Sequence, residues 1–295
     1  MNGQDARTRA QARARLRRGM FLLPSLFTVG NIALGYFSIA QAIAAIGANA
    51  NAQAHLDLAS LAILFAIPFD ALDGRIARMT NTTSEFGKEL DSLADIITFG
   101  VAPSLLAFIW GFQFLPGSEN PLLRENLRHL GPFVCFLFLI GGAARLARFN
   151  ISYNPVPRNP GRPDRKYFVG MPIPAAAGMV AATVHFFSGI PIQAWWVAII
   201  WLVLVGACGY LMISTWRFWS GKEISFSRSH PSQILLLLAI MLFLMVRYSQ
   251  FVLFAFALVY MFSGVWARAA YSWSRRRRNR PPPALHSRDA DPRTL

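Results

Sequence analysis

The sequence predicts an all-α protein that crosses a membrane about eight times, and three observations carry that prediction. Charged residues make up only 15% of the 295, where a soluble domain carries about 25%. Hydrophobic residues reach 54% and aromatic residues 13%, far too many for a solvated, disordered chain. Apolar runs near the 20 or so residues needed to cross a hydrocarbon core about 30 Å thick recur along the chain, and mean hydropathy is +0.38.

Eight stretches meet this criterion: residues 20–46, 58–78, 91–114, 131–148, 171–188, 194–215, 231–246 and 251–271. The arginines before the first imitate a signal peptide. Its apolar part is much longer than the usual 7–15 residues of such a segment, so a retained anchor is expected. Pro172 and Pro174 suit the opening turn of the fifth span, where a missing N–H costs nothing. Only residues 247–250 separate the last two spans, so a tight hairpin is expected there. Tryptophans such as Trp195, Trp196, Trp266 and Trp273 read as interfacial anchors. The organisation expected is a basic N-terminal segment (1–19), a transmembrane core (20–216), an additional transmembrane hairpin (217–271) and a basic, disordered tail (272–295).

Net charge is +15, from 29 Lys and Arg against 14 Asp and Glu. The excess points to lipid rather than nucleic acid, because the arginines cluster in short segments between apolar runs. One set of connections holds Arg7, Arg9, Arg13, Arg15, Arg17 and Arg18, then Arg158, Arg162, Arg165 and Lys166, then Arg217, Lys222 and Arg228, and finally Arg275, Arg276, Arg277, Arg278 and Arg280. The other set keeps Arg124, Arg128 and Arg247. The positive-inside rule therefore places both termini in the cytoplasm, with a prokaryotic inner membrane as the expected location. Cys135 and Cys208 lie inside apolar runs and suggest neither a disulfide framework nor a zinc site. The histidines are scattered without ligand spacing, and His185 is expected in helix packing or at the outer interface.

One region breaks the apolar pattern. Asp70, Asp73, Asp91 and Asp95 fall at the end of the second span and the start of the third. An aspartate at a membrane helix centre costs about 2.5–3.5 kcal/mol, so such acids are functional candidates. Asp70 and Asp73 are three residues apart and share a helix face; Asp91 and Asp95, four apart, share another. The link between the helices is short, so the two pairs can converge near the cytoplasmic surface. Four carboxylates so close repel unless protonated or neutralised. Oxygen ligands suit Mg²⁺, Mn²⁺ or Ca²⁺, and two such ions balance the charge. Gly74, Ala77 and Gly87 leave room for a close ligand, and Arg78 supplies a guanidinium suited to phosphate. Together these describe a pocket for a metal-bound diphosphate. The alternatives are an acid–arginine network gluing two helices, or the ion site of a cation transporter.

The full pattern, Asp70-x2-Asp73-Gly74-x2-Ala77-Arg78-x8-Gly87-x3-Asp91-x3-Asp95, resembles the signature of the CDP-alcohol phosphatidyltransferase family at every fixed position. The resemblance implies a six-helix catalytic core, to which the last two helices would be an addition, together with a CDP-linked lipid substrate, divalent metal and a homodimer. By it Asp70, Asp73 and Asp91 are metal ligands, and Asp95 approaches metal and serves as general base. Gly74, Ala77, Arg78 and Gly87, with Asp73, are the positions that meet the CDP moiety.

Flanking stretches resemble the phosphatidylserine synthase branch: Leu23-Pro24-Ser25-Leu26-Phe27-Thr28-Val29-Gly30-Asn31, the run from Asp91 to Pro103, Ala144-Arg145-Leu146-Ala147-Arg148-Phe149-Asn150, and Gly170-Met171-Pro172-Ile173-Pro174. That likeness implies CDP-diacylglycerol and L-serine as substrates, giving phosphatidylserine and CMP. Inositol phosphate, glycerol 3-phosphate or choline remain alternative acceptors. Serine brings a carboxylate and an ammonium. Arg145 and Arg148 are candidates for its carboxylate or for the diphosphate, unless they are snorkelling arginines at a helix end. Asn150 and Lys166 are weaker candidates. Thr28 and Asn31 either hydrogen-bond the nucleotide or the aspartates, or join helices.

Overall fold

The computed structural model describes residues 26–48, 51–80, 85–116, 121–152, 167–219, 243–244 and 247–278. Its elements are α1 (Leu26–Gly47), α2 (Ala52–Thr80), a third helix α3 described below, α4 (Pro121–Ser152), strand β1 (Tyr167–Val169), α5 (Ile173–Phe186), α6 (Trp195–Ile213), strand β2 (Arg217–Trp219) and α7 (Ser249–Arg278). Six of these helices are long and apolar enough to span: α1, α2, α3, α4, α6 and α7. The protein is an integral membrane protein. All but Phe243 and Leu244 of the seventh expected span lie outside the described residues, so the hairpin expected there is not described either.

Helix α3 changes pitch twice. Glu85–Asp95 and Ala102–Phe108 are α-helical, while Ile96–Val101 and Ile109–Gln113 form wider π turns. The Ala102 N–H reaches the Ile97 carbonyl, five residues back, instead of the one four back. The first wide turn begins directly after Asp95, and such insertions cluster at functional sites because they re-aim the neighbouring side chains. Nothing in the apolar periodicity of residues 91–114 announces them.

Two boundaries differ from expectation. Helix α4 starts at Pro121, ten residues before the apolar run at 131, because the charged stretch with Arg124 and Arg128 continues as helix beyond it. Helix α5 has 14 residues instead of the expected 18, about 21 Å of helix and too short to cross alone. Its reason is burial: the residues from Ala176 to His185 are all buried, so neighbouring helices and not lipid surround it. A helix apolar on every side belongs in the middle of a bundle. Helix α5 packs between α2 and α7.

Before α5 the chain forms a two-stranded ribbon. Strand β1 pairs antiparallel with β2, Phe168 opposite Phe218, and the Gly170 and Met171 N–H groups donate to the carbonyls of Trp216 and Leu211 at 2.8 and 3.0 Å. The ribbon joins the two basic connections that were both assigned to the cytoplasmic side. The chain leaves α5 through Ser188 and Gly189, both at positive φ, where glycine carries no steric penalty.

Helices α4 and α6 meet through glycine. A methyl on Gly141 would lie 2.8 Å from the Gly209 carbonyl, and one on Gly209 would lie 3.2 Å from the Phe138 Cα. Lipid tails give no hydrophobic drive for helix association, so such close backbone approach is how membrane helices gain dispersion energy. Helices α1 and α3 use the same device: a β-carbon on Gly35 would lie 2.9 Å from the Thr98 Cα, and the Thr98 hydroxyl donates to the Asn31 carbonyl at 2.9 Å.

Candidate active site

Helix α2 packs on α3 along residues 96–108, directly after its acids. Pro68 lies inside α2; it lacks an N–H and so removes one rung of the helix ladder just ahead of Asp70. Asp70 of α2 and Asp91 and Asp95 of α3 bring carboxylate oxygens within 4.8 Å of one another, each half-buried. Asp95 and Asp70 are close enough to hydrogen-bond, and the Asp95 Oδ1 atom is buried with no hydrogen-bond partner. Three carboxylates at this separation repel unless a cation or protons intervene. The donor set, oxygen only and one atom still unsatisfied, fits a hard divalent cation.

The rest of the motif is partly described. Asp73, Ala77 and Arg78 lie on α2 one and two turns beyond Asp70, and their side chains fall outside the described residues. Gly74 is exposed on the same helix and Gly87 is half-buried on α3. Lys166 lies outside the described residues.

Helix α4 packs on the first wide turn of α3, which brings its basic end to the acids. Arg145 is 9% exposed and its Nε has no hydrogen-bond partner; its guanidinium lies within electrostatic range of Asp95. Arg148 is arranged differently. Its guanidinium donates to the carbonyls of Val169 (3.1 Å), Ile213 (3.2 Å) and Met212 (3.5 Å), tying α4 to the ribbon and to the end of α6. Asn150 donates from Nδ2 to the Ser92 hydroxyl at 3.0 Å, next to Asp91. Sequence spacing suggested Arg145 and Arg148 as equivalents, and tertiary contacts separate them. Asn31 on α1 is 1% exposed, and neither atom of its side-chain amide has a partner. Thr98, three residues after Asp95 on the same helix, is fully buried and ties α3 to the Asn31 backbone.

The CDP-alcohol phosphatidyltransferase family model matches residues 21–200, a segment that includes every acid of the cluster. The chain belongs to the CDP-alcohol phosphatidyltransferase family. Among relatives of this transferase, the CDP-diacylglycerol–serine O-phosphatidyltransferase of Helicobacter pylori (strain 26695) is 37% identical over 214 residues, covering 70% of this chain and 76% of the relative. The protein of the same name from Bacillus subtilis (strain 168) is 32% identical over 201 residues, 68% of this chain and 90% of the relative. The archaetidylserine synthase of Methanothermobacter thermautotrophicus is 33% identical over 162 residues, 54% and 56% of the two chains. The phosphatidyltransferase match ends at residue 200, within α6, so α7 lies outside the matched segment.

Proposed function

We propose that this enzyme transfers the phosphatidyl group of CDP-diacylglycerol to the hydroxyl of L-serine, releasing phosphatidylserine and CMP. The observation that carries the reading is the convergence of Asp70, Asp91 and Asp95 within 4.8 Å on the motif of a family whose relatives bear that activity in their names. Asp70, Asp73, Asp91 and Asp95 would hold two divalent ions, Mg²⁺ or Mn²⁺. When bound, these ions polarise the diphosphate and stabilise charge on the departing CMP phosphate.

The chain's own groups supply the rest. The serine oxygen forms a bond to the phosphorus that bears diacylglycerol, and the bond from that phosphorus to the CMP oxygen breaks. Asp95, half-buried among the acids, accepts the proton that the serine hydroxyl loses. Gly74, Ala77, Arg78 and Gly87 cradle the CDP moiety. Arg145, short of one hydrogen bond, offers charge-assisted donors to anionic substrate oxygens. The low-dielectric surroundings of a half-buried cluster strengthen each of these interactions relative to water. The same reading makes the enzyme a homodimer in a prokaryotic inner membrane with its site on the cytoplasmic side, which the arginine bias supports.

The test is purified enzyme given labelled CDP-diacylglycerol with serine, glycerol 3-phosphate, inositol phosphate or choline. Serine-dependent CMP release is expected, abolished by chelator and restored by Mg²⁺ or Mn²⁺. Release with another acceptor but not with serine would reject the serine assignment, and full activity in chelator would reject the metal.

A further inference from the structure

The acids of α3 sit on a segment with little support of its own. Residues 96–101 are fixed, because Thr98, Phe99 and Gly100 are buried and α4 packs on that turn. The preceding turns, Glu85–Asp95, pack chiefly on this continuation of the same helix, and Phe86 and Leu93 there are 74% and 60% exposed. Asp91 and Asp95 therefore project from a part of α3 that tertiary packing holds only lightly.

The end of α4 reaches this segment. Arg148 and Asn150 are two residues apart, so they lie about 200° apart around the helix and serve different neighbours. On one face the Arg148 guanidinium donates to the carbonyls of Val169, Ile213 and Met212, which anchors this end of α4 to the ribbon and to α6. On the other the Asn150 amide donates to the Ser92 hydroxyl at 3.0 Å. That hydroxyl donates in turn to the Lys88 carbonyl, one turn back, at 3.0 Å, so it both gives and accepts a bond and its orientation is set. Ser92 follows Asp91 directly and shares a helix face with Asp95, three residues on. The geometry points to Asn150 as a positioning residue for the cation site: from an anchored helix end it holds the Glu85–Asp95 segment where the Asp91 and Asp95 carboxylates meet Asp70. This rests on the metal assignment made above. It also gives the Asn150 amide a partner within the protein instead of the serine substrate. Groups that orient the ligands of a metal change its affinity by about 10–100-fold when removed.

Asn150→Ala removes the donor of this bond and Ser92→Ala its acceptor. Mn²⁺ is titrated into the full-length protein in nanodiscs without substrate, and free Mn²⁺ is read by electron paramagnetic resonance. Each variant is expected to bind Mn²⁺ about tenfold more weakly than the wild type. The double variant is expected to bind no more weakly than either, since both changes break one bond. KM for serine at saturating Mn²⁺ stays within about twofold, and the unfolding midpoint of the metal-free protein stays at the wild-type value, because one exposed hydrogen bond adds little to overall stability. Unchanged Mn²⁺ affinity in Asn150→Ala, or additive losses in the double variant, overturns the proposal. So does a raised serine KM with Mn²⁺ affinity intact, which would return Asn150 to the substrate, and so does a clear fall in the metal-free midpoint, which would make the bond a general support of the fold. If the wild-type protein takes up no Mn²⁺, the metal assignment falls and this inference with it; uptake that is equal in wild type and variants rejects this inference alone.

Discussion

Asp95 is constrained from several directions. It sits where α3 widens into its first π turn, it contacts Asp70, and one carboxylate oxygen is buried without a partner. A group so placed can serve as base because it lies among the other acids and beside Arg145, and not because of its position in the chain. Asp95→Asn preserves shape and removes the proton acceptor. Transfer is expected to fall by about 10²–10⁴-fold, the usual contribution of a positioned base, while binding of CDP-diacylglycerol in nanodiscs changes little. Equal loss of binding and rate would make Asp95 chiefly a metal ligand. Arg145 and Arg148 show how little spacing alone says at this scale. Both are basic residues at one helix end, but three backbone carbonyls occupy the second, and the first keeps an unmatched donor beside the acids.

Among the elements, α4 and α6 form the rigid wall that carries Arg145. Their contact runs through Gly141 and Gly209, with backbone atoms near 3 Å from any added β-carbon. Gly209→Leu forces the helices apart, because the obstructing atoms belong to the backbone of residues 137 and 138 and cannot rotate away. Overpacking of this kind costs on the order of 3 kcal/mol, so a lower unfolding midpoint in detergent is expected; an unchanged midpoint would mean that the helices can slide. Helix α5 follows the same logic from the other direction. It is buried on every side, so its length need not match the bilayer, and the ribbon of β1 and β2 pairs the chain just ahead of it.

For the whole molecule, orientation decides which leaflet supplies the lipid. The 47–57 connection has neither Lys nor Arg, while the connections on the acid-bearing side are rich in Arg. By the positive-inside rule, the proposed orientation turns the acids toward the cytoplasm. The native thiols Cys135 and Cys208 are both buried, so a single introduced cysteine reports cleanly. Ala48→Cys is expected to react with a membrane-impermeant thiol reagent added outside intact cells. Labelling only after the membrane is opened would invert the topology and with it the side of catalysis.

Much of this protein was legible before any tertiary structure. Hydrophobicity and helical spacing are local properties, so the membrane class, most of the spans and the acids on shared faces of α2 and α3 follow from the order of residues. The spacing of the motif also names the family. Contacts between distant parts of the chain are different, because no local pattern encodes them. Only the folded bundle shortens α5 by burying it, inserts π turns after Asp95, and separates Arg145 from Arg148. It alone packs α7 along α5 and over β2, since packing between helices, and not propensity within them, decides which side chains meet.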